Sequence, residues 1–544
     1  MVYLKTWQDA KEILVKKQVE LPEFDIEVLK KSGKESPVWL HFGGGNLYRS
    51  FHAEVAQRLA NKGELKNGVV VCETFDKYVI DDVYTPYNND LLQVVMHEDG
   101  TLEKRIIAAT ADSYYCNPER QESFAKVQGF FADPALQFTT FTITEKGYVL
   151  NGPDGSMSKV IAEDLKMGPK KPKHTMSIVT SLLLKRFEAG AFPIAMISTD
   201  NFSQNGRRFK NSILAIAKGW QENAFVPQAF IDYLSDEQQV SFPWSMIDRI
   251  TPNPSESVER DLAKDGFEDL MIVHTSNHTN IAPFTNTEVV HYLVVEDSFP
   301  NGRPDLTAGG VILTDRKTVD KADTMKVTTC LNPLHTALAV FGCLLGYTSI
   351  AAEMKDSDLV GLIKEIGYHE GLPVVSDPKI INPKKFIDEV IEKRLPNSYI
   401  PDTPQRIVTD TSQKIAIRYG QTIKEYQTDA TKNTSSLTFI PLTIAAWLRY
   451  LLAIDDRGNS FTPSPDPLLE TLQENLEGIT LGTTDAAQVH TAVAPILANK
   501  EIFDVNLYEV GLGEKIEAAF LEMLSGKEAV RNTLHRYLAE KGGN

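Results

Sequence analysis

Ten residues in the second half of the chain, Lys326-Val-Thr-Thr-Cys-Leu-Asn332-Pro-Leu-His335, bring together an amine, an amide and an imidazole, and Val327 to Ala352 carries no Asp, Glu, Lys or Arg. Apolar surroundings strip hydration from an ammonium, which readies a lysine to exchange a proton near neutral pH. Asn332 and His335 stand three apart, on one face of a helix. An amide and an imidazole there can hold an alcohol or a developing oxyanion. This is equipment for moving a proton on and off a carbonyl oxygen. The competing reading is structural: a lysine head that snorkels out of a core helix, and a histidine satisfied inside it.

A second cluster lies near the N-terminus. Pro37-Val-Trp-Leu-His-Phe42 is a short apolar run that ends in Gly43-Gly44-Gly45, with Asn46, Leu47, Tyr48 and Arg49 behind it. Leu47, Phe51, Val55 and Leu59 recur at helical spacing, Asn61-Lys62-Gly63 supplies a stop, and Gly68-Val-Val-Val-Cys72 forms a second apolar run ending in Glu73. Strand, glycine turn, helix, strand and acid make the opening of a dinucleotide-binding unit. Gly43 and Gly45 let the backbone turn and approach a pyrophosphate, which the free N–H groups and positive dipole end of the helix starting near Asn46 and Leu47 would face. Tyr48 stands where the usual motif has its third glycine, so a plain tight turn competes with this reading. Glu73 follows Gly43 by 30 positions, against a usual spacing of about 20. A carboxylate capping the second strand would accept ribose hydroxyls and repel a 2′-phosphate, which favours NAD over NADP.

The elements around these clusters follow from periodicity. Phe138–Thr144, Phe192–Ser198 and Leu270–Val273 read as further strands, Met176–Ala189 as a helix closed by Gly190, and Lys166–Lys173 as an exposed loop. Alternating strands and helices predict a mostly parallel α/β sheet. After about residue 290 helical patterns dominate: His335–Met354, Lys384–Lys393, Leu442–Ile454, Pro467–Leu476 and Lys515–Leu524. The expected organisation is an α/β, Rossmann-like dinucleotide-binding domain over 1–285, with an N-terminal helical extension. A largely α-helical substrate and catalytic domain follows over 286–544.

With 544 residues, two domains are the default, and 42% hydrophobic and 24% charged content are ordinary for a globular protein. A net charge of −17 argues against nucleic-acid and anionic-membrane partners but leaves room for a small anionic substrate in a locally basic cleft. Cys72, Cys116, Cys330 and Cys343 form no CxxC pair, so neither a disulfide framework nor a zinc ribbon is indicated. His274 and His278 are four apart, but no Glu follows His274 and no third ligand is evident, so no metal is expected. The uncharged stretch from Val327 is long enough to span a bilayer, yet it carries Asn332, Pro333, His335 and several threonines, which suits a buried helix better. The start of the chain has no apolar signal core, and a cytoplasmic location is expected.

Several blocks in order resemble the polyol-specific long-chain dehydrogenase/reductase family, the mannitol dehydrogenase family, from about Val38 to about Leu452. They are Gly43-Gly-Gly-Asn-Leu-Tyr-Arg49, Thr144-Glu-Lys-Gly-Tyr148, Ser198-Thr-Asp-Asn201-Phe-Ser-Gln-Asn205-Gly206 and Phe242-Pro-Trp-Ser-Met-Ile-Asp248-Arg249-Ile-Thr-Pro252. Glu296-Asp297-Ser-Phe299 with Gly302-Arg303-Pro304, and the later blocks Arg394–Lys414 and Ala446–Tyr450, continue the series. The resemblance implies an NAD-linked secondary alcohol dehydrogenase without a metal. Its catalytic residues would be Lys326, Asn201, Asn332 and His335, and its cofactor-binding residues Gly43, Gly45, Asn46, Leu47, Arg49 and Glu73. Asp248, Arg394 and Asn397 would serve the substrate. Asp248 is open to two readings, as a group orienting its neighbours or as half of an Asp–Arg structural pair. The family branch resembled most in type is that of the fructuronate reductases, which implies interconversion of D-mannonate and D-fructuronate. Mannitol 2-dehydrogenase or tagaturonate reductase chemistry, or a noncatalytic dinucleotide-binding sensor, are the alternatives. A uronate needs a cation, for which Arg394 and Arg406 are candidates; oligomeric state is left open. The family spaces its lysine as Lys-x4-Asn-x2-His, whereas this chain has one residue more before Asn332. A π-bulge or break between Lys326 and Asn332 is therefore expected to absorb it, and Pro333, which has no N–H to give, adds to the irregularity.

Overall fold

A computed structural model describes residues 1–152 and 154–542. They form two compact units, the first of Met1–His97 and Thr101–Asp320, the second of Glu98–Gly100 and Lys321–Asn544.

The first unit is built on a six-stranded sheet whose neighbours run Thr110–Tyr115, Val69–Glu73, Trp39–Phe42, Phe138–Phe141, Ile194–Ser198, Val240–Ser241, all parallel. In chain order this is 3-2-1-4-5-6, the doubly wound arrangement. Successive residues feed opposite faces. Val70, Cys72, Phe141, Ile194 and Met196 pack into one apolar cluster, while Val69, Val71, Phe138, Ala195 and Ile197 pack into another. Burial on both faces is why these strands read as unbroken apolar runs rather than alternating ones. The helix expected at Met176–Ala189 spans Thr175–Gly190, capped at its start by the His174 side chain accepting from the Met176 N–H.

Two smaller sheets and a two-stranded hairpin complete this unit. One orders Val19–Glu20, Leu102–Ile107, Leu91–Met96, Phe284–Glu288, and the other Ser245–Asp248, Tyr292–Glu296, Ile312–Thr314. Because Phe284–Glu288 pairs with Leu91–Met96 and Tyr292–Glu296 with Ser245–Asp248, the first unit runs to Asp320, later than the expected boundary at 285. The expected strand Leu270–Val273 is another difference. Only Val273–His274 is extended, paired with Asn280–Ile281 in a short hairpin.

The second unit is helical. Asn332–Leu345 and Phe439–Leu451 are almost wholly buried and form its core. The expected Lys384–Lys393 helix is Pro383–Glu389 continued by a π-helical turn, Val390–Arg394, and Lys515–Leu524 is Gly513–Met523. The run Arg316–Leu345 is long and apolar enough to cross a bilayer by length and composition, but most of it is buried inside the protein, like a core helix.

Candidate active site

In a doubly wound sheet, ligands bind beyond the carboxyl ends of the strands where the winding reverses. Here that point lies between Trp39–Phe42 and Phe138–Phe141, and the glycine turn leaves the first of them. Gly43 has φ +102°, and a Cβ there would lie 2.2 Å from the Thr142 carbonyl oxygen, so only glycine fits. A Cβ on Gly45 would meet nothing within 4 Å, which leaves open space beside the backbone at that residue. Asn46 and Leu47 begin the helix, and the Asn46 Nδ2 donates to the Asn280 carbonyl at 3.3 Å.

Arg49 follows, in a π-helical turn Tyr48–His52. The residue is 1% exposed, its guanidinium lies over the Tyr84 ring at 5.6 Å, and its Nη1 has no hydrogen-bond partner among the described residues. Burial pulls its pKa down, with Tyr84 in partial opposition. No carboxylate among the described residues pairs with it. A buried, orphaned cation one turn into the helix behind a glycine turn suits the pyrophosphate of a dinucleotide.

Glu73 ends its strand as expected, but its carboxylate is turned back onto the chain. Oε2 accepts from the Gly44 N–H at 2.8 Å, and Oε1 from the N–H groups of Thr74, Phe75 and Asp76 at 3.0, 2.8 and 3.3 Å. Burial raises its pKa, and these amides oppose the rise. Glu73 thus clamps the glycine turn to the neighbouring loop.

The other blocks in this unit have local explanations. Asp200 accepts from the Ile143 and Thr144 N–H groups and the Tyr148 hydroxyl at 3.0, 2.9 and 2.8 Å, holding the Thr144–Tyr148 turn, where Thr144 has φ +65°. Burial pushes its carboxyl up to about 6. Asn205 is consumed by structure, donating to Asp200 O and Ser245 and accepting from the Gly206 and Ser245 N–H groups. Asn201 stands exposed at the start of that turn, beyond the carboxyl end of Ile194–Ser198. Asp248 closes the strand Ser245–Asp248 and is buried. Its neighbour Arg249 is not paired along the sequence. It donates to Glu54, on the helix behind the glycine turn, and to the Ser50 and Glu288 carbonyls.

In the second unit the expected irregularity is present. Lys326–Cys330 is a π-helical turn, with the Leu331 N–H bonded to the Lys326 carbonyl at 3.1 Å, and Leu331 leaves helical geometry at φ −128°, ψ −63°. The α-helix restarts at Asn332 with Pro333 in its first turn, where a missing N–H costs nothing. Lys326 is 2% exposed, and its Nζ is 3.4 Å from Oδ1 of Asp323. The surroundings are therefore not free of charge. The i, i+3 spacing could have announced Asp323, which lies just outside the uncharged stretch. His335 Nε2 is 3.3 Å from Oδ2 of Asp402, which also takes Arg406. Burial pulls the imidazole below its usual range, Asp402 opposes, and Arg406 and Arg418 add to the fall. The ring is thus neutral near pH 7, with one N–H to give and one lone pair to offer. Arg394 and Asn397 are both 2% exposed, at the end of the π-helical turn and just past it.

This arrangement has known relatives. The profile of the mannitol dehydrogenase Rossmann domain matches residues 38–308, and that of the mannitol dehydrogenase C-terminal domain matches residues 318–524. The chain belongs to the mannitol dehydrogenase family. Family membership makes the first unit a dinucleotide-binding Rossmann domain, and the C-terminal match carries the likeness past Leu452, where the sequence blocks stop. The chain is 50% identical over 527 residues, 96% of it and 97% of the relative, to a D-mannonate oxidoreductase of Thermotoga maritima. It is 27% identical over 467 residues, 84% of the chain and 87% of the relative, to a polyol:NADP oxidoreductase of Gluconobacter oxydans. Among solved structures, Pseudomonas fluorescens mannitol 2-dehydrogenase in ternary complex with NAD and D-mannitol aligns with TM-score 0.67 and 25% identity over 98% of this chain and 99% of that one. A substrate-free D-sorbitol dehydrogenase shares the fold at TM-score 0.78 and 22% identity over 95% and 97% of the two chains.

Proposed function

We propose that this chain is an NAD-dependent D-mannonate oxidoreductase, interconverting D-mannonate and D-fructuronate. The observation that carries the reading is the 50% identity, over 96% of the chain, to a protein of that name. The nicotinamide supplies the hydride in the reducing direction. As the ketone carbon accepts it, the carbon–oxygen π pair moves onto oxygen, and Lys326 as ammonium gives that oxygen its proton. In oxidation the neutral amine takes the proton back. Asn332 and Asn201 donate hydrogen bonds to the developing oxyanion, each worth a few kcal/mol of barrier. His335, beside Asp402, binds a neighbouring hydroxyl, and Asp248, Arg394 and Asn397 serve the substrate. Gly43, Gly45, Asn46 and Leu47 admit the pyrophosphate, and Arg49 pairs with it. Glu73 shapes the turn, and its negative charge at the strand end disfavours a 2′-phosphate, which selects NAD. The chemistry needs no metal, so turnover should survive exhaustive chelation.

The test offers fructuronate, tagaturonate and fructose separately with NADH, and NADPH with the best of them. Fructuronate with NADH should give the highest kcat/KM. A large preference for fructose would overturn the uronate reading, and a preference for NADPH would overturn the role of Glu73.

A further inference from the structure

A sugar acid brings a carboxylate that must meet a cation, and the two arginines suggested by sequence are joined by a third with stronger structural credentials. The π-helical turn Ala416–Gly420 lies across the first turn of the helix that bears Asn332 and His335. The Tyr419 hydroxyl donates to the Pro333 carbonyl at 2.8 Å, and Arg418 Nη1 donates to the Thr336 Oγ1 at 2.6 Å. The Thr336 hydroxyl spends its own proton on the Asn332 carbonyl at 2.9 Å. Arg418 is thus tied by one short bond to the residue next to His335, and that bond fixes where its guanidinium points.

The charges around it are uneven. Arg406, the other cation beside His335, is already answered by Asp402. Lys414, one turn before Arg418, donates to the Thr409 carbonyl at 2.7 Å and has Asp410 and Asp466 in its field. Arg418 is half-buried, and among the described residues it makes no ion pair with any carboxylate. Burial lowers its pKa, with only Tyr419 in opposition. Among the described residues its Nε–Nη2 edge has no hydrogen-bond partner, and that edge matches a carboxylate in planar, two-bond geometry. A cation held half out of water with no anion is costly unless a ligand supplies one.

We propose that Arg418 receives the substrate's carboxylate and so sets the preference of this site for a sugar acid over a neutral ketose. The inference rests on the D-mannonate reading above, and it assigns the group that reads the acid end of the substrate. Thr336 acts as the positioning residue that aims the guanidinium.

The experiment measures kcat/KM with NADH for fructuronate and for fructose at high concentration, in wild type, Arg418→Met and Arg418→Lys. The Met variant should lose on the order of a hundredfold with fructuronate, the worth of a charge-assisted pair, while fructose changes less than about threefold. The Lys variant, which keeps the charge but not the fork, should fall between. An unchanged NADH dissociation constant and thermal midpoint show that the variants fold. Equal losses on both substrates, or no loss on fructuronate, would overturn the assignment while leaving the mannonate reading intact. A wild-type enzyme that refuses every uronate would instead sink that reading, and Arg418 with it, before any variant is made.

Discussion

Glu353 offers the sharpest quantitative test of the second unit. It ends the short helix Ile350–Glu353 with no exposed surface, and neither carboxyl oxygen has a hydrogen-bond partner among the described residues. Its Oε1 lies against the backbone of Gly342, where an added Cβ would come within 1.8 Å of it. Burial pushes the carboxyl up to about 9 from 4.5, and Asp356 adds to the rise. Asp356 is itself answered by Arg531 and the Tyr347 hydroxyl, so it gives Glu353 no cation. Since the folded value lies above the unfolded one, the protonated group's contribution to stability is complete below about pH 4.5 and falls as pH rises towards 9. The slope is about 1.4 kcal/mol per pH unit, so the window from pH 6 to 8 is worth roughly 2–3 kcal/mol. Glu353→Gln keeps the shape and cannot ionise. Urea unfolding followed by far-UV circular dichroism, read on the transition that carries the helical unit, should show the variant gaining that amount on wild type between pH 6 and 8. Taking the difference removes every other titrating group. A difference that stays flat across the window would refute the claim that a neutral carboxylic acid is buried against Gly342.

Three further outcomes follow from the same geometry. Lys326→Ala should lower kcat with the best ketone by about 10²–10⁴ while NADH affinity, read by fluorescence titration, stays within a few-fold, and near wild-type turnover would end the lysine's role. Arg49→Met should raise the NADH dissociation constant by about tenfold or more, as expected for losing a charge-assisted contact, with kcat at saturating NADH little changed. Glu54→Gln leaves Arg249 buried without its counter-charge and should cost about 3–5 kcal/mol. Wild-type Glu54 is held down to about 2 by Arg249, Arg58 and Arg105 against the opposing effect of burial, so its contribution is present above about pH 4.5 and lost as pH falls towards 2. The acid limb of the variant's stability curve should therefore be flatter, and parallel acid limbs would contradict the pairing.

The central strands of the main sheet were legible because burial on both faces makes Trp39–Phe42, Val69–Glu73 and Ile194–Ser198 continuous apolar runs, whereas the outer strands Thr110–Tyr115 and Val240–Ser241 were not read from the sequence. Nor was Leu102–Ile107. It carries Glu103, Lys104 and Arg105 on half-buried positions, and its pattern is polar until the partner strands are known. The break after Lys326 was legible only against the spacing of the resembled family, as one surplus residue before Asn332, with Pro333 as a second sign of irregularity. What pairs with what over long separations was hidden. Arg249 reads as the neighbour of Asp248, yet its carboxylate comes from Glu54, 195 positions away. Glu73 was correctly set at a strand end, but its spacing could not say that four backbone amides would occupy its oxygens. Arg418 sits in an unremarkable helical stretch, and only the folded arrangement shows that no carboxylate among the described residues pairs with it.

The widened coil at Lys326–Cys330 separates two segments that an unbroken helix would fuse. An inserted residue in a regular helix turns everything after it by about 100°. Here the surplus is swallowed before Asn332, and the azimuth of the following segment is set from outside, by Tyr419 and Arg418 gripping its opening turn. The amine and the imidazole are consequently anchored to different supports. A one-residue difference in the chain between them is taken up in this coil, so the helix that carries the imidazole keeps its setting.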